Sequence, residues 1–249
     1  MIKPGEPYEL SNGYRIASMS TGQRGSFSNL SGGMVLDTDP TAPRAGVDAG
    51  ISPIAPMLRA PDVAVGGLSN EPGWSPTAPP LCVEYADRGQ DEDELAKKIQ
   101  ELFQWGTRFI WVVRMNGLRR VEVHERGKEV RIVGPGGVLY APGILKNPVP
   151  IDTLYDREAA HEQTLTNLLQ RKGYQNLEAV KAEAQDKGEA AARVRDVLTV
   201  LRVRGIIVSD ADRERIHAEK DPARLERWLE RAILATSVAQ VMDEPSHPA

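Results

Sequence analysis

The sequence contains a single cysteine, Cys82, among its 249 residues. A lone cysteine excludes an intrachain disulfide framework and a cysteine-based zinc cluster. No run approaches the roughly 18 consecutive apolar residues of a membrane span. The first residues also lack the basic start and apolar core of a secretory signal. We therefore expect a soluble cytoplasmic protein that makes no contact with a membrane.

Several common catalytic motifs are also missing. None of the four histidines has a second histidine three to five residues away, so helical zinc motifs are absent. The chain has no Gly-x-Ser-x-Gly nucleophile elbow, no Gly-x4-Gly-Lys-Ser/Thr phosphate loop and no Gly-x-Gly-x-x-Gly segment. The sequence therefore gives no support to a serine hydrolase, a P-loop nucleotide hydrolase or a dinucleotide-binding enzyme.

Charge and composition narrow the function further. The net charge is −4, so a protein that coats DNA nonspecifically is not expected. Apolar residues make up 41% of the chain, aromatic residues 5% and charged residues 27%. This is enough apolar material for a core, and wholesale disorder is excluded. An enzyme with an acidic, metal-binding site that touches nucleic acid locally fits this composition.

The first 80 residues are poor in regular structure signals. Asn12-Gly13 predicts a hairpin between residues 8–10 and 14–17. Nine of the 18 prolines lie between Pro40 and Pro80. That stretch is therefore predicted to be mostly loop around one short strand.

The middle of the chain alternates between strand and helix signals. Residues 91–105 form a predicted helix, because Asp91 and Glu94 have capping-box spacing and Gly106 follows its end. Asn116-Gly117 predicts a tight hairpin between two strands. The predicted strands cover residues 62–65, 81–86, 107–115, 119–125 and 128–133. This order predicts an α/β (α+β) protein whose mixed sheet contains at least one crossover helix.

From about residue 151 the signals become helical, apart from a short strand signal at residues 206–208. A stripe of near-heptad period runs from Leu177 to Leu201. It fits either a helix that packs within its own domain or the seam of a dimerising coiled coil. We expect a first domain over residues 1–150, a helical extension over residues 151–249, and a homodimer.

Two carboxylates on neighbouring predicted strands are candidates for a site. Glu84 interrupts the otherwise apolar strand 81–86, where a carboxylate is costly unless it is paired, hydrogen-bonded or bound to a cation. Asp62 opens the preceding strand. Taken singly, Glu84 could be a salt-bridged strand residue and Asp62 a turn residue. Together they could hold a hard divalent cation through oxygen ligands.

The predicted helix 91–105 carries two adjacent lysines with different surroundings. Lys97 has Asp93, Glu94 and Glu101 at helical-neighbour spacing, so it is assigned to a solvated charged face. Lys98 lies along the edge of the apolar stripe instead. Its stem can pass over the sheet while its ammonium reaches toward the two carboxylates. We therefore expect Lys98, and not Lys97, to belong to the site.

The order and spacing of these segments match a known family. The matching segments are Tyr8-Glu9-Leu10 with Gly13, Pro61-Asp62-Val63, residues 81–85, Asp91 to Lys98 with Gly106, and Phe109-Ile110-Trp111-Val112-Val113. Over residues 5–150 the chain resembles the Uma-two family of restriction-endonuclease-like proteins, within the PD-(D/E)XK nuclease superfamily. The resemblance implies a restriction-endonuclease-like mixed sheet flanked by helices, to which the helical extension is added.

The resemblance also implies a function. Asp62 and Glu84 would bind Mg²⁺ or Mn²⁺, and Lys98 would orient or deprotonate a bound water during hydrolysis of a phosphodiester bond in DNA. A nuclease that acts on RNA would use the same site, so the sequence does not distinguish RNA from DNA as the substrate. Glu9 would be either an auxiliary acid or a surface glutamate of the hairpin.

Three positions depart from the family pattern. Gln23-Arg24-Gly25 stands where the family often has a histidine, and Arg114 stands where it often has an aspartate. Tyr85-Ala86-Asp87-Arg88 replaces the more usual Ser-Pro-Ser. The missing histidine, the acidic net charge and the long helical extension favour an alternative function. In that alternative the protein is a weak or inactive nuclease fold that acts as a binding or assembly module.

A basic ribbon follows the central strands. Between residues 107 and 131 the basic residues, which include Arg114, Arg119 and Arg120, outnumber the glutamates. Such a ribbon could track a nucleic-acid backbone. A solvated sheet edge that is protected by charge explains the same residues equally well.

Overall fold

The computed structural model describes residues 8–17 and 22–242. The chain divides into two compact units, one ending at Gly173 and the other starting at Tyr174. The first unit holds a mixed six-stranded sheet with flanking helices, and the second is helical in its described part. The expected mixed α+β fold is confirmed.

The first unit contains ten strands and three α-helices among its described residues. In chain order they are β1 (Tyr8–Ser11), β2 (Tyr14–Ala17), α1 (Gln23–Thr38), β3 (Ala45–Val47), β4 (Val63–Val65), β5 (Leu81–Ala86), α2 (Glu92–Trp105), β6 (Phe109–Arg114), β7 (Arg120–Glu125), β8 (Arg131–Val133), β9 (Val138–Leu139), β10 (Val149–Pro150) and α3 (Arg157–Arg171). A 3₁₀ turn, Ile151–Leu154, precedes α3.

The main sheet has the strand order β3-β4-β5-β6-β7-β8. Only β5 and β6 are parallel, and α2 forms the crossover between them. Asp91 caps α2 by accepting the Glu94 N–H at 3.0 Å, and Gly106 ends it in a left-handed conformation with φ 117°. The predicted crossover helix and its two ends are therefore confirmed.

The two faces of β5 pack in different directions. Leu81, Val83 and Tyr85 belong to the core that includes α1 and α3. Cys82 and Ala86 belong to the core under α2. Because side chains alternate along a strand, Glu84 lies on the α2 face. This alternation brings the one charged residue of β5 to the helix that carries Lys98.

The sequence does not predict α1. Its buried side consists largely of small residues, including Gly25, Ser28 and Gly32, which have low helix propensity. A Cβ atom on Gly32 would overlap the Tyr85 hydroxyl, so this close approach to the sheet requires glycine. Tertiary packing therefore overrides the local preference of this segment.

The predicted division at residues 150 and 151 differs from the observed division of the chain. In the structure α3 lies in the first unit because it packs against α1. Asn167 of α3 donates a hydrogen bond to the Val35 carbonyl at 3.0 Å, and Ala160 joins the same core.

The second unit contains α4 (Leu177–Val203), α5 (Asp210–Ala218), α6 (Pro222–Leu234) and α7 (Val238–Met242). The buried residues of α4 lie in its C-terminal half and pack with Leu225 and Trp228 of α6. This half of the near-heptad stripe thus packs within the chain. The strand predicted at residues 206–208 is wrong, because the segment is an irregular link between α4 and α5. The homodimer stays a prediction.

None of the described helices combines the length and apolar character that crossing a membrane requires.

Candidate active site

Asp62 and Glu84 are neighbours across two antiparallel strands. Val63 of β4 pairs with Val83 of β5. Asp62 precedes Val63 and Glu84 follows Val83, so the two carboxylates occupy the next facing positions along the same ladder. Both residues line a cavity of about 480 Å³ together with Glu9 and Lys98. The structure therefore brings the three predicted catalytic residues, Asp62, Glu84 and Lys98, into one cavity with Glu9.

Lys98 reaches across this cavity from α2. Its Nζ atom lies 2.9 and 3.0 Å from the two carboxylate oxygens of Glu84. It also donates to the Ala60 carbonyl oxygen at 2.8 Å and lies 3.2 Å from Glu9 Oε1. Lys97, by contrast, is exposed. Lys98, and not Lys97, therefore contacts the carboxylates, as their positions on the helix predict.

Asp62 is held by groups on both sides. Its Oδ2 accepts the Tyr85 backbone N–H at 2.6 Å, and its Oδ1 accepts Asn29 Nδ2 at 3.3 Å. Asn29 lies on α1, the helix that the sequence does not predict, so its contact with Asp62 was not predicted either. These two donors fix the orientation of the carboxylate.

Glu9 lies in the site and not on the surface of the hairpin. It comes from β1, accepts the Ala60 N–H at 3.2 Å and pairs with Arg59 at 2.9 Å. Burial by itself raises the pKa of Glu9, but Lys98 and Arg59 together hold it below its ordinary value. Glu9 is therefore a carboxylate at neutral pH, and any part it takes is that of an anion.

Arg59 is the largest feature that the sequence reasoning missed. Its side chain is completely buried, and it pairs with Glu9, with Glu94 at 2.6 Å and with Glu101 at 2.5 Å. Glu94 and Glu101, the helical neighbours of Lys97, therefore pair with Arg59, while Lys97 itself is exposed as predicted. Their spacing of i, i+4 and i+7 with Lys98 places all three on one face of α2, and this was the available signal.

The protonation states of Glu84 and Lys98 follow from their burial and their neighbours. Burial raises the pKa of Glu84, the Lys98 ammonium lowers it, and Asp62 raises it again, to about 8 overall. Burial alone lowers the pKa of Lys98, but the carboxylates of Glu84, Glu9 and Asp62 raise it above its ordinary value. Lys98 is thus an ammonium ion at neutral pH.

The raised pKa of Glu84 predicts how metal-free stability depends on pH. A carboxyl whose pKa rises from 4.5 to about 8 on folding binds its proton more tightly in the native state. Its contribution to stability therefore falls as pH rises through this window, by at most about 1.4 kcal/mol per pH unit. As pH rises from 5 to 8, we expect Glu84→Gln to become steadily more stable relative to wild type. Urea denaturation in EDTA measures this, and a stability difference that stays constant with pH would contradict it.

Three arginines of the predicted basic ribbon, Arg114, Arg119 and Arg120, each lie within 4 Å of a carboxylate. Arg114 pairs with Glu92 at 2.6 Å and with Glu122 at 2.8 Å, and its side chain is only 16% exposed. Arg119 pairs with Asp152 at 3.3 Å, and Arg120 lies 3.8 Å from Glu122. Arg119 and Arg120 are still accessible, whereas a contact between Arg114 and a phosphate would have to break two ion pairs.

The carboxylates of Asp62 and Glu84 are oxygen ligands of the kind that a hard divalent metal ion takes. Among residues 8–17 and 22–242, no group of three or more His, Cys, Asp or Glu side chains is arranged to hold one. Mg²⁺ needs fewer protein ligands, because it keeps several waters and is usually bound through one or two carboxylates. Glu84 Oε1 is buried, and the Lys98 ammonium lies 2.9 Å from it. A cation would also relieve the repulsion between the two carboxylates, so the pair fits Mg²⁺ or Mn²⁺.

Comparisons with known proteins agree with this fold. No protein-family model matches the sequence, and no curated protein matches it. A crystal structure from Anabaena variabilis ATCC 29413, that of "a putative nuclease belonging to DUF820", is similar with a TM-score of 0.53. The similarity covers 64% of this chain and 94% of that one, at 17% sequence identity. The chain therefore shares the fold of that protein, while its membership of the Uma-two family stays a prediction.

Proposed function

We propose that this protein is a metal-dependent nuclease that hydrolyses phosphodiester bonds in DNA. The observation that carries the proposal is the meeting of Lys98 with Glu84, directly beside Asp62, in one open cavity. A lysine and two carboxylates suit phosphodiester hydrolysis, because the reaction needs a bound cation and a positive group near the developing charge. The fold shared with the Anabaena variabilis protein supports this assignment.

Each residue has a proposed task. Asp62 and Glu84 would hold Mg²⁺ or Mn²⁺, which when bound polarises the phosphate and lowers the pKa of a water ligand. Lys98 would orient the attacking water and stabilise the charge of the pentavalent transition state. Of the two tasks first expected for Lys98, orienting or deprotonating the water, its raised pKa favours the first.

Substrate must compete for Lys98. An ammonium group has three N–H donors, and Glu84, Glu9 and the Ala60 carbonyl surround the Nζ atom. A water or phosphate oxygen therefore reaches Lys98 by replacing one of these partners. Glu9 has the longest contact, at 3.2 Å, and is the partner that we expect to yield.

A metal titration combined with a cleavage assay tests the proposal. Asp62→Asn and Glu84→Gln each remove a ligand while keeping the volume of the side chain. We expect wild type to gain thermal stability with Mn²⁺ and to cut plasmid DNA, and both variants to lose the two responses. Single-stranded DNA and RNA in the same assay determine the substrate class. Wild type that neither binds Mn²⁺ nor cuts any of the three would support the inactive binding module instead.

A further inference from the structure

We propose that Arg59 is a positioning residue that sets where Lys98 projects into the cavity. This inference rests on the proposed function and adds a residue that touches neither the metal ligands nor Lys98 in any described contact. Arg59 binds three glutamates that come from two other elements, and its side chain is fully buried.

Arg59 is itself fixed by the backbone. Its N–H donates to the Ile51 carbonyl at 2.9 Å, and its carbonyl accepts the Ile51 N–H at 2.7 Å. The following residue, Ala60, provides the carbonyl that accepts Lys98 Nζ. Asp62 comes two residues later. The short segment 59–62 therefore provides Arg59, the carbonyl that accepts Lys98, and the proposed metal ligand Asp62.

Arg59 binds α2 at two points, one on either side of Lys98. Glu94 lies one turn before Lys98 and Glu101 about one turn after it, on the same face. Because Arg59 binds both glutamates, it fixes the rotation of α2 about its own axis. A rotation of α2 about this axis would carry Lys98 Nζ away from Glu84.

The same arginine attaches the hairpin to the site. Glu9 of β1 binds Arg59, and Ser11 of the same strand donates to Glu101 at 2.5 Å. Burying so many charges is costly, and apolar residues of similar volume often stabilise a fold as well or better. A role in placing Glu9 and Lys98 gives this buried ionic cluster a function that stability alone does not.

Glu101→Gln tests the proposal, because it disturbs Arg59 and leaves Lys98, Glu84 and Asp62 intact. We expect kcat for DNA cleavage to fall at least about tenfold, as small misplacements at a reacting centre do. KM and Mn²⁺ affinity should be unchanged. A crystal structure of the variant should show Lys98 Nζ beyond hydrogen-bond reach of Glu84. Arg59→Lys keeps the charge but not the forked geometry, and should show the same changes to a smaller degree.

Asn167→Ala is the matched control. Asn167 is a buried polar residue that ties α3 to α1, outside the cavity. The Asn167→Ala substitution should lower thermal stability and leave kcat unchanged. If both Glu101→Gln and Arg59→Lys kept wild-type kcat, or lost no more than Asn167→Ala at equal stability, the proposal would be overturned. If wild type cut no nucleic acid, the proposed function would fail, and the Lys98–Glu84 distance in the variant crystal would still decide the positioning role.

Discussion

Replacement of Lys98 by alanine is expected to abolish turnover while most metal binding is kept. In the proposed mechanism the ammonium acts on the attacking water and on the transition state, whereas Asp62 and Glu84 would hold the ion. Loss of one group that stabilises transition-state charge reduces kcat by roughly 10²–10³-fold. Mn²⁺ calorimetry and a plasmid cleavage assay on the same preparation separate the two effects.

Lys97→Ala is the control for this experiment. Lys97 is adjacent in sequence, is exposed and has no salt bridge within the described chain, so its loss should change neither turnover nor metal binding. An active Lys98→Ala enzyme together with an inactive Lys97→Ala enzyme would refute the assignment of the lysine even if the fold is correct. Retained thermal stability in Lys98→Ala excludes simple unfolding as the cause of lost activity.

The largest expected effect on stability is that of Trp111→Ala. Trp111 lies in β6, is completely buried and packs in the core between the sheet and the α1 and α3 helices. Replacing it with alanine should cost roughly 3–5 kcal/mol, because it removes apolar contacts and leaves a cavity. For a chain of this size that corresponds to a fall in Tm on the order of 10 °C.

Trp74→Ala provides a matched change at the surface. Trp74 is 59% exposed, so the same substitution should cost little. Chemical denaturation of both variants compares the two sites directly. A melting temperature that Trp111→Ala leaves unchanged would show that β6 does not lie in the core.

Local signals were sufficient wherever the structure depends on neighbours in the sequence. The apolar run of β5, the caps of α2 and the Asn-Gly turn of the first hairpin each follow from a few adjacent residues. They were predicted correctly because propensity, turn chemistry and packing all favour the same structure. α1 was missed because its glycines and serines oppose helix formation until the sheet packs against them.

The residues of the site also divide into those that local sequence signals place and those that only tertiary packing brings together. The sequence by itself placed Glu84 in a buried strand and chose Lys98 over Lys97, since strand alternation and helical period are local properties. Only the tertiary structure decided that Asp62 faces Glu84, because the register of β4 against β5 is set by the whole sheet. It also decided that Arg59, Glu9 and Glu101 share one buried cluster, since these residues come from separate elements. Apart from the shared face of α2, long-range charge pairing of this kind leaves no local pattern, because any arginine and glutamate can pair once folding brings them together.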